Sequence, residues 1–295
     1  MSGLGFPDSV YLLHKILLMK LINLLSVIFL LAGNSSYSQI SENQVPAQRP
    51  LAIEAPFLLE TNWDQWGIYA KYAPEKQVLG CWSTALAQIL YYHHLKPYGT
   101  VSYSCSKGYV IKEDLSDYSP EWKNFAADIG DKSKPETIDA VSYYSYLTAI
   151  AVRKDFGTSK YLEMINPAPQ VEKHFACKAI FYGSFTGEVP FSQEHMMHIA
   201  EKEDIKHLID RDSIIVLIKK EIGQKRPVYF HMGNFTTYGH STVIDGFLEK
   251  NNIFYVHINY GAGGFRTGWY DLFRPIDVED DIRLRAFVTI EPIQK

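Results

Sequence analysis

Residues 79–94 read LGCWSTALAQILYYHH, and their reading sets the class of the chain. Apolar side chains recur at Trp82, Ala85, Leu86, Ile89 and Leu90, the spacing of one helical face. Gly80 permits a tight turn directly before the pattern, and Pro97 and Gly99 stop it. Cys81 is therefore expected in the first helical turn. There, unpaired N–H groups and the positive end of the helix dipole favour a thiolate. A cysteine in that place is either a small buried hydrophobe or a nucleophile, and the second reading requires a base nearby.

Working outward, residues 136–152 and 212–222 carry two further helical patterns. Residues 100–135 read as irregular, and 154–170 as loop with room for a short helix. Strand patterns then follow one another: PVYFHM from Pro227, HSTVIDGFL from His240, IFYVHINY from Ile253 and LRAFVTIEP from Leu284. Helices early and antiparallel strands late predict an α+β fold, with a helical part carrying Cys81 and a sheet part behind it. The best base is His240, which opens a strand after Gly239. A turn centred on Lys250 and Asn251 pairs this strand with the next so that His240 faces Gly261, with Asn259 and Tyr260 within a step or two. An amide beside an imidazole can hold its orientation. The other histidines fit less well. His93 and His94 stand at the far end of the Cys81 helix, His231 ends a strand, and His257 shares a strand face with Asn259. Cysteine and histidine spacings match no zinc pattern, so no metal is expected.

The bulk numbers frame this reading. The 295 residues are 46% hydrophobic with a formal net charge of -4, enough for a packed core and without a basic patch for nucleic acid. From Met19 the chain reads MKLINLLSVIFLLAGNSSYSQ: one lysine, an apolar run from Leu21 to Ala32, then the small-x-small group Ser36-Tyr37-Ser38. That is the layout of a cleaved signal peptide, and the run is short of the roughly 20 residues that span a bilayer. The expected organisation is a signal over residues 1–38, with Met19 as the start and the preceding residues an over-extension. A short lead-in over 39–54 and one domain over 55–295 follow. A secreted or periplasmic location follows from the signal, with no stable membrane span after its removal. The three cysteines are an odd count for an exported protein and flag a free thiol; Cys105 and Cys177 either pair or remain separate.

Several stretches together resemble the streptopain family of secreted bacterial cysteine peptidases, a branch of the papain-like fold. LGCWSTALAQILYYHH is similar to that family's nucleophile block, GHSTVIDGF to its histidine block, and VHINYGAGGFRTGWYDL to its asparagine–aromatic–glycine block. APFLLETNWDQWGIYAKYAP resembles the opening of the mature domain, KKEIGQKRPVYF the helix and strand before the histidine, and AVRKDFGTS a substrate-side loop. The likeness runs from about Ala55 to Leu272, in the family's order. It implies a papain-like α+β fold and a cysteine endopeptidase acting on proteins or peptides, with no metal or organic cofactor. In it Cys81 is the nucleophile, His240 the general base, Asn259 a support for the imidazole and Tyr260 an aromatic wall. The Cys81 N–H would help to hold the oxyanion. A protein inhibitor is a further expected partner.

The departures open other readings. Tyr260 stands where the family usually has tryptophan, Ser241 where it has alanine, and Trp82 where it has a small aliphatic residue. Only residues 39–54 separate the expected cleavage point from the mature-like segment, where streptopain has a folded propeptide. A catalytically weak relative that binds peptides or a partner protein is the alternative; amidase or transglutaminase chemistry is a third. Trp66, Tyr103, Phe156, Phe235 and Trp269 are candidates for an apolar subsite, with a hydrophobic preference on the non-prime side.

Overall fold

The computed structural model describes residues 47–162, 166–184, 206–233, 239–277, 280 and 285–293. The signal-like residues 1–38 and the candidate subsite residue Phe235 lie outside this set. Among the described residues, the elements run α1 (Cys81–Tyr92), β1 (Thr100–Ser104), β2 (Val110–Asp114), α2 (Pro135–Ala151), α3 (Ala168–His174) and β3 (Cys177–Ser184). Then follow β4 (Leu208–Ile209), α4 (Arg211–Gly223), β5 (Val228–Gly233), β6 (Gly239–Lys250), β7 (Ile253–Asn259), β8 (Gly268–Asp271) and β9 (Arg285–Pro292). Strands β3 to β9 form one seven-stranded sheet in the order β4-β3-β9-β5-β6-β7-β8. Every pairing in it is antiparallel except β3 with β4. The fold is the expected α+β arrangement, with the cysteine helix early and the histidine strand in the late sheet. The stretch read as irregular holds a separate hairpin, β1 with β2, whose first strand alternates exposed and buried residues.

Two cores flank the sheet. On one side α1 and α2 pack through Leu86, Ile89, Leu90, Leu147 and Ile150 against Tyr229, Val243 and Val288. On the other, Ile214, Leu217 and Ile218 of α4 meet Val228, Phe230, Ile244, Val256 and Phe287. The alternation of adjacent residues in β5, Val228 to one core and Tyr229 to the other, is the period of a strand buried on both faces. Helix α1 is enclosed so fully that all eight residues from Ser83 to Leu90 are buried.

The β6–β7 hairpin departs from its expected register. The turn residues are Asn251 and Asn252, both with positive φ (54° and 59°), and Lys250 pairs with Ile253. Asparagine tolerates this left-handed conformation, and two such residues in a row make the turn that suits strand twist. A bulge at Asp245 then shifts the ladder, so Val243 pairs with Asn259, and His240 pairs with Met232 of β5 rather than facing Gly261. The bulge is held from outside the hairpin. The Asp245 carbonyl accepts from Leu58 N at 2.9 Å, and its carboxylate accepts from Leu59 N at 2.9 Å and lies 2.6 Å from His257 Nδ1. The segment ahead of Ala55 docks on the far edge of the sheet, where Leu51 bridges Trp269 and the Gln48 amide bonds the Asp271 backbone.

Helix α1 is tied to the sheet by one buried pair of amides. Asn259 Nδ2 donates to Gln88 Oε1 at 3.0 Å, and Gln88 Nε2 donates to Asn259 Oδ1 at 3.2 Å. Trp63 N also donates to Gln88 Oε1, Gly261 N to Asn259 Oδ1, and Asn259 Nδ2 to the Thr61 carbonyl. Both side chains are buried, so each lost bond strands a polar group out of water. Gln88→Leu is expected to cost about 2–4 kcal/mol of stability by urea unfolding, with the m-value unchanged.

Candidate active site

Cys81 is the first residue of α1, and Gly80 before it has φ 90°. A Cβ at Gly80 would stand 2.5 Å from the Tyr161 hydroxyl and 3.1 Å from Lys154 Cε, so side chain and conformation are both excluded there. The helix has no local side-chain cap. The Tyr161 hydroxyl supplies one from a distant loop, accepting from Ser83 N at 3.0 Å, while its ring stacks on Trp82 with centroids 4.6 Å apart. The Cys81 N–H is left without an acceptor among the described residues, free to meet an oxyanion.

His240 stands near the start of β6. Its Nε2 lies 2.9 Å from the Tyr260 carbonyl, which can only accept, so Nε2 carries a proton and donates. That leaves Nδ1 for the Cys81 thiol, the group whose interaction most raises the imidazole pKa. The Tyr260 ring packs beside the imidazole, with centroids 4.5 Å apart and planes at 36°. The Tyr260 hydroxyl donates to Asp277 Oδ2 at 2.5 Å, and Arg266 lies over the same ring and donates to the same carboxylate.

Burial alone would push the Cys81 thiol up and the His240 imidazole down. Their mutual hydrogen bond and charge outweigh it, so the thiol pKa is lowered and the imidazole pKa raised. The Ser241 N–H and hydroxyl add to the first effect; the Tyr260 carbonyl and the Asp277 charge add to the second. Behind the thiol, Ser241 Oγ lies 2.7 Å from the Tyr229 hydroxyl and 3.0 Å from His231 Nδ1. One assignment satisfies all these groups: Tyr229 and His231 donate to Ser241, and Ser241 donates to the sulfur. Burial and the charge of His240 hold His231 down at about 4, so it is neutral and does not compete with the imidazolium. Its ring fills the space over Gly239, where a Cβ would fall 2.2 Å from Cε1.

The structure thus brings Cys81, His240 and Tyr260 together. Asn259 stands apart from the imidazole: its side chain is engaged by Thr61, Gln88 and Gly261, and the orienting contact comes from the backbone of its neighbour. The rival histidines are elsewhere. His257 pairs with Asp245 and stacks on Phe57; His94 stacks on Trp122; His93 is half-buried at the end of α1, where desolvation lowers its pKa to about 4. Cys105 and Cys177 are separate buried thiols. Of the expected apolar subsite, Tyr103, Phe156 and Trp269 are core residues, and Trp66 is 59% exposed. Ser241, Tyr161, Lys154 and the Tyr260 carbonyl are the site's additions to the sequence reading. Ser241 carried a signal, as the serine where the family has alanine, and Lys154 lies in the AVRKDFGTS stretch that resembles a substrate-side loop.

Comparison with known proteins gives the family and the fold. Residues 63–270 match the model of the peptidase C10 family. A search of curated proteins finds no match. Among solved structures, the active wild-type interpain A cysteine protease of Prevotella intermedia is similar, with a TM-score of 0.58 and 20% identity over 82% of this chain and 98% of that one. A mutant fragment of Prevotella intermedia prointerpain A has a TM-score of 0.56 and 20% identity over 83% of this chain and 75% of that one.

Removing the Ser241 hydroxyl should weaken the thiolate without moving the base. Ser241→Ala is expected to slow iodoacetamide labelling of Cys81 at pH 6 by about 5-fold, the worth of roughly 1 kcal/mol, a smaller effect than that of His240→Ala.

Proposed function

The chain belongs to the peptidase C10 family, the streptopain family expected from its sequence, and is a cysteine-type peptidase; from that premise we propose that Cys81 and His240 are its catalytic pair. The observation that supports the assignment is the mutual electrostatic effect of Cys81 and His240, which lowers the thiol pKa and raises that of the imidazole, with Nε2 of the imidazole held by the Tyr260 carbonyl. The Cys81 thiolate attacks the carbonyl carbon of a peptide bond, and the carbonyl electrons move to oxygen beside the Cys81 N–H. The imidazolium gives its Nδ1 proton to the leaving amine as the C–N bond breaks, leaving a thioester. Water then loses a proton to Nδ1 and attacks the thioester, the C–S bond breaks, and the acid departs with the ion pair restored.

Tyr260 keeps the wall beside the imidazole, and its hydroxyl, the departure from tryptophan, is bonded to Asp277 rather than to the reacting atoms. Asn259 supports the imidazole at one remove, by fixing the strand end from which the Tyr260 carbonyl projects. The enzyme acts as an endopeptidase outside the cytoplasm, made as a precursor whose signal is removed after Ser38. The signal layout from Met19 supports export, and among the described residues no helix is long and apolar enough to cross a membrane. The peptidase domain spans 55–295, with the end of the lead-in packed on its sheet edge.

Protein recovered from the periplasm or medium is expected to begin at Gln39 and to cleave casein. Cys81→Ala and His240→Ala should each lower kcat/KM by at least ~10³-fold without loss of the folded state by circular dichroism. Casein cleavage that survives Cys81→Ala would overturn the assignment, and binding without cleavage by the wild type would favour the peptide-binding alternative.

A further inference from the structure

A second cation lies close to the thiol. Lys154 follows α2, and its side chain is fully buried. Its Cε is 3.1 Å from the position a Cβ on Gly80 would take, directly before Cys81. Its Nζ donates to the carbonyls of Thr158 at 2.5 Å, Lys160 at 3.2 Å and Asp155 at 3.4 Å, and lies 5.2 Å from the Tyr161 ring centroid. No carboxylate among the described residues pairs with it. The nearest in sequence, Asp155, is engaged by Ser106 N, Ser106 Oγ and the Thr158 hydroxyl. A buried ammonium with only carbonyl partners is costly. Besides Asp155, the anion that opposes its burial is the Cys81 thiolate, on the residue that follows Gly80.

Resting on the catalytic assignment above, we propose that Lys154 is a positioning residue for the reaction: its buried ammonium stabilises the Cys81 thiolate and gathers the 155–161 loop so that Tyr161 caps α1. The two roles share one geometry. The three carbonyls fold the loop around Nζ, and the Lys154–Tyr161 bridge closes it. That closure sets the Tyr161 hydroxyl on Ser83 N and the Tyr161 ring against Trp82. The groups facing the ammonium are Cys81 from α1, Asp155 and Tyr161 from the loop, and Cys105 beyond β1; the Tyr103 hydroxyl and the Cys105 thiol both donate to the Lys154 carbonyl. Burial lowers the lysine to about 8, against the opposing charges of Cys81, Asp155 and Cys105. It is therefore charged at neutral pH and discharges on the alkaline side.

The test is the pH dependence of Cys81 alkylation by iodoacetamide in the wild type, Lys154→Met and Lys154→Arg, with thermal unfolding to confirm folding and casein kinetics in parallel. Lys154→Met should move the acid limb upward by about half a unit to one unit, slowing labelling at pH 6 by ~3- to 10-fold. It should lower kcat more than KM, and Lys154→Arg should restore the acid limb. An unmoved limb in folded Lys154→Met would overturn the proposal, as would an equal shift in Met and Arg variants, which would mean packing rather than charge. If methionine prevents folding, Lys154→Gln is read by the same criteria. A wild type that labels only as an ordinary thiol would instead overturn the catalytic assignment itself.

Discussion

The amide pair between Gln88 and Asn259 is the constraint on which the site depends. Gln88 lies in the middle of α1 and Asn259 ends β7, so their reciprocal bonds fix the helix against the sheet in depth and rotation. The backbone leaves β7 at Tyr260, and the carbonyl of that residue is what holds His240. One buried junction therefore sets both the Cys81 helix and the group that orients His240. Gly261 N and Trp63 N close the remaining acceptor positions, so the junction has one satisfied arrangement rather than several.

On that frame the electrostatics follow from placement. A thiol enclosed by apolar residues would stay protonated, and an enclosed imidazole would stay neutral. Each is reversed here by the other. Around them stand donors for the thiolate, from the Ser241 N–H and hydroxyl, and for the imidazolium one acceptor, the Tyr260 carbonyl, with the Asp277 charge behind it. His231, kept neutral by burial, orients Ser241 without adding a positive charge. Glycine at 80 and at 239 leaves space for Tyr161 and His231 to stand against the site.

The features legible in the sequence are those whose causes are local. The spacing from Trp82 to Leu90, the glycine before Cys81 and the alternation in the late strands each reflect a period or a turn. The order of the three blocks carried the family. The hairpin register was less legible, because Asn251-Asn252 and Lys250-Asn251 are equally polar, and because the bulge at Asp245 is held by Leu58 and Leu59 from another part of the chain. The β1–β2 hairpin hid among turn signals, although TVSYS alternates. Hairpin pairing puts Asn259 within a step or two of the residue facing His240, whereas its side chain points to α1 and finds Gln88. The AVRKDFGTS stretch places Lys154 in a loop near the site, but the roles of Lys154 and Tyr161 were not legible, since capping and charge reach Cys81 only through the tertiary fold.

The central claim is that the fold holds Cys81 as a thiolate beside a protonated His240. The most direct measurement is the ultraviolet thiolate absorbance of the mature enzyme across pH, as the difference between wild type and Cys81→Ala. The account predicts a thiolate signal already present well below the range of an ordinary cysteine, near 8.5, and lost from that range when His240 is replaced by alanine. A single rise at about 8.5, the same with and without His240, would contradict it.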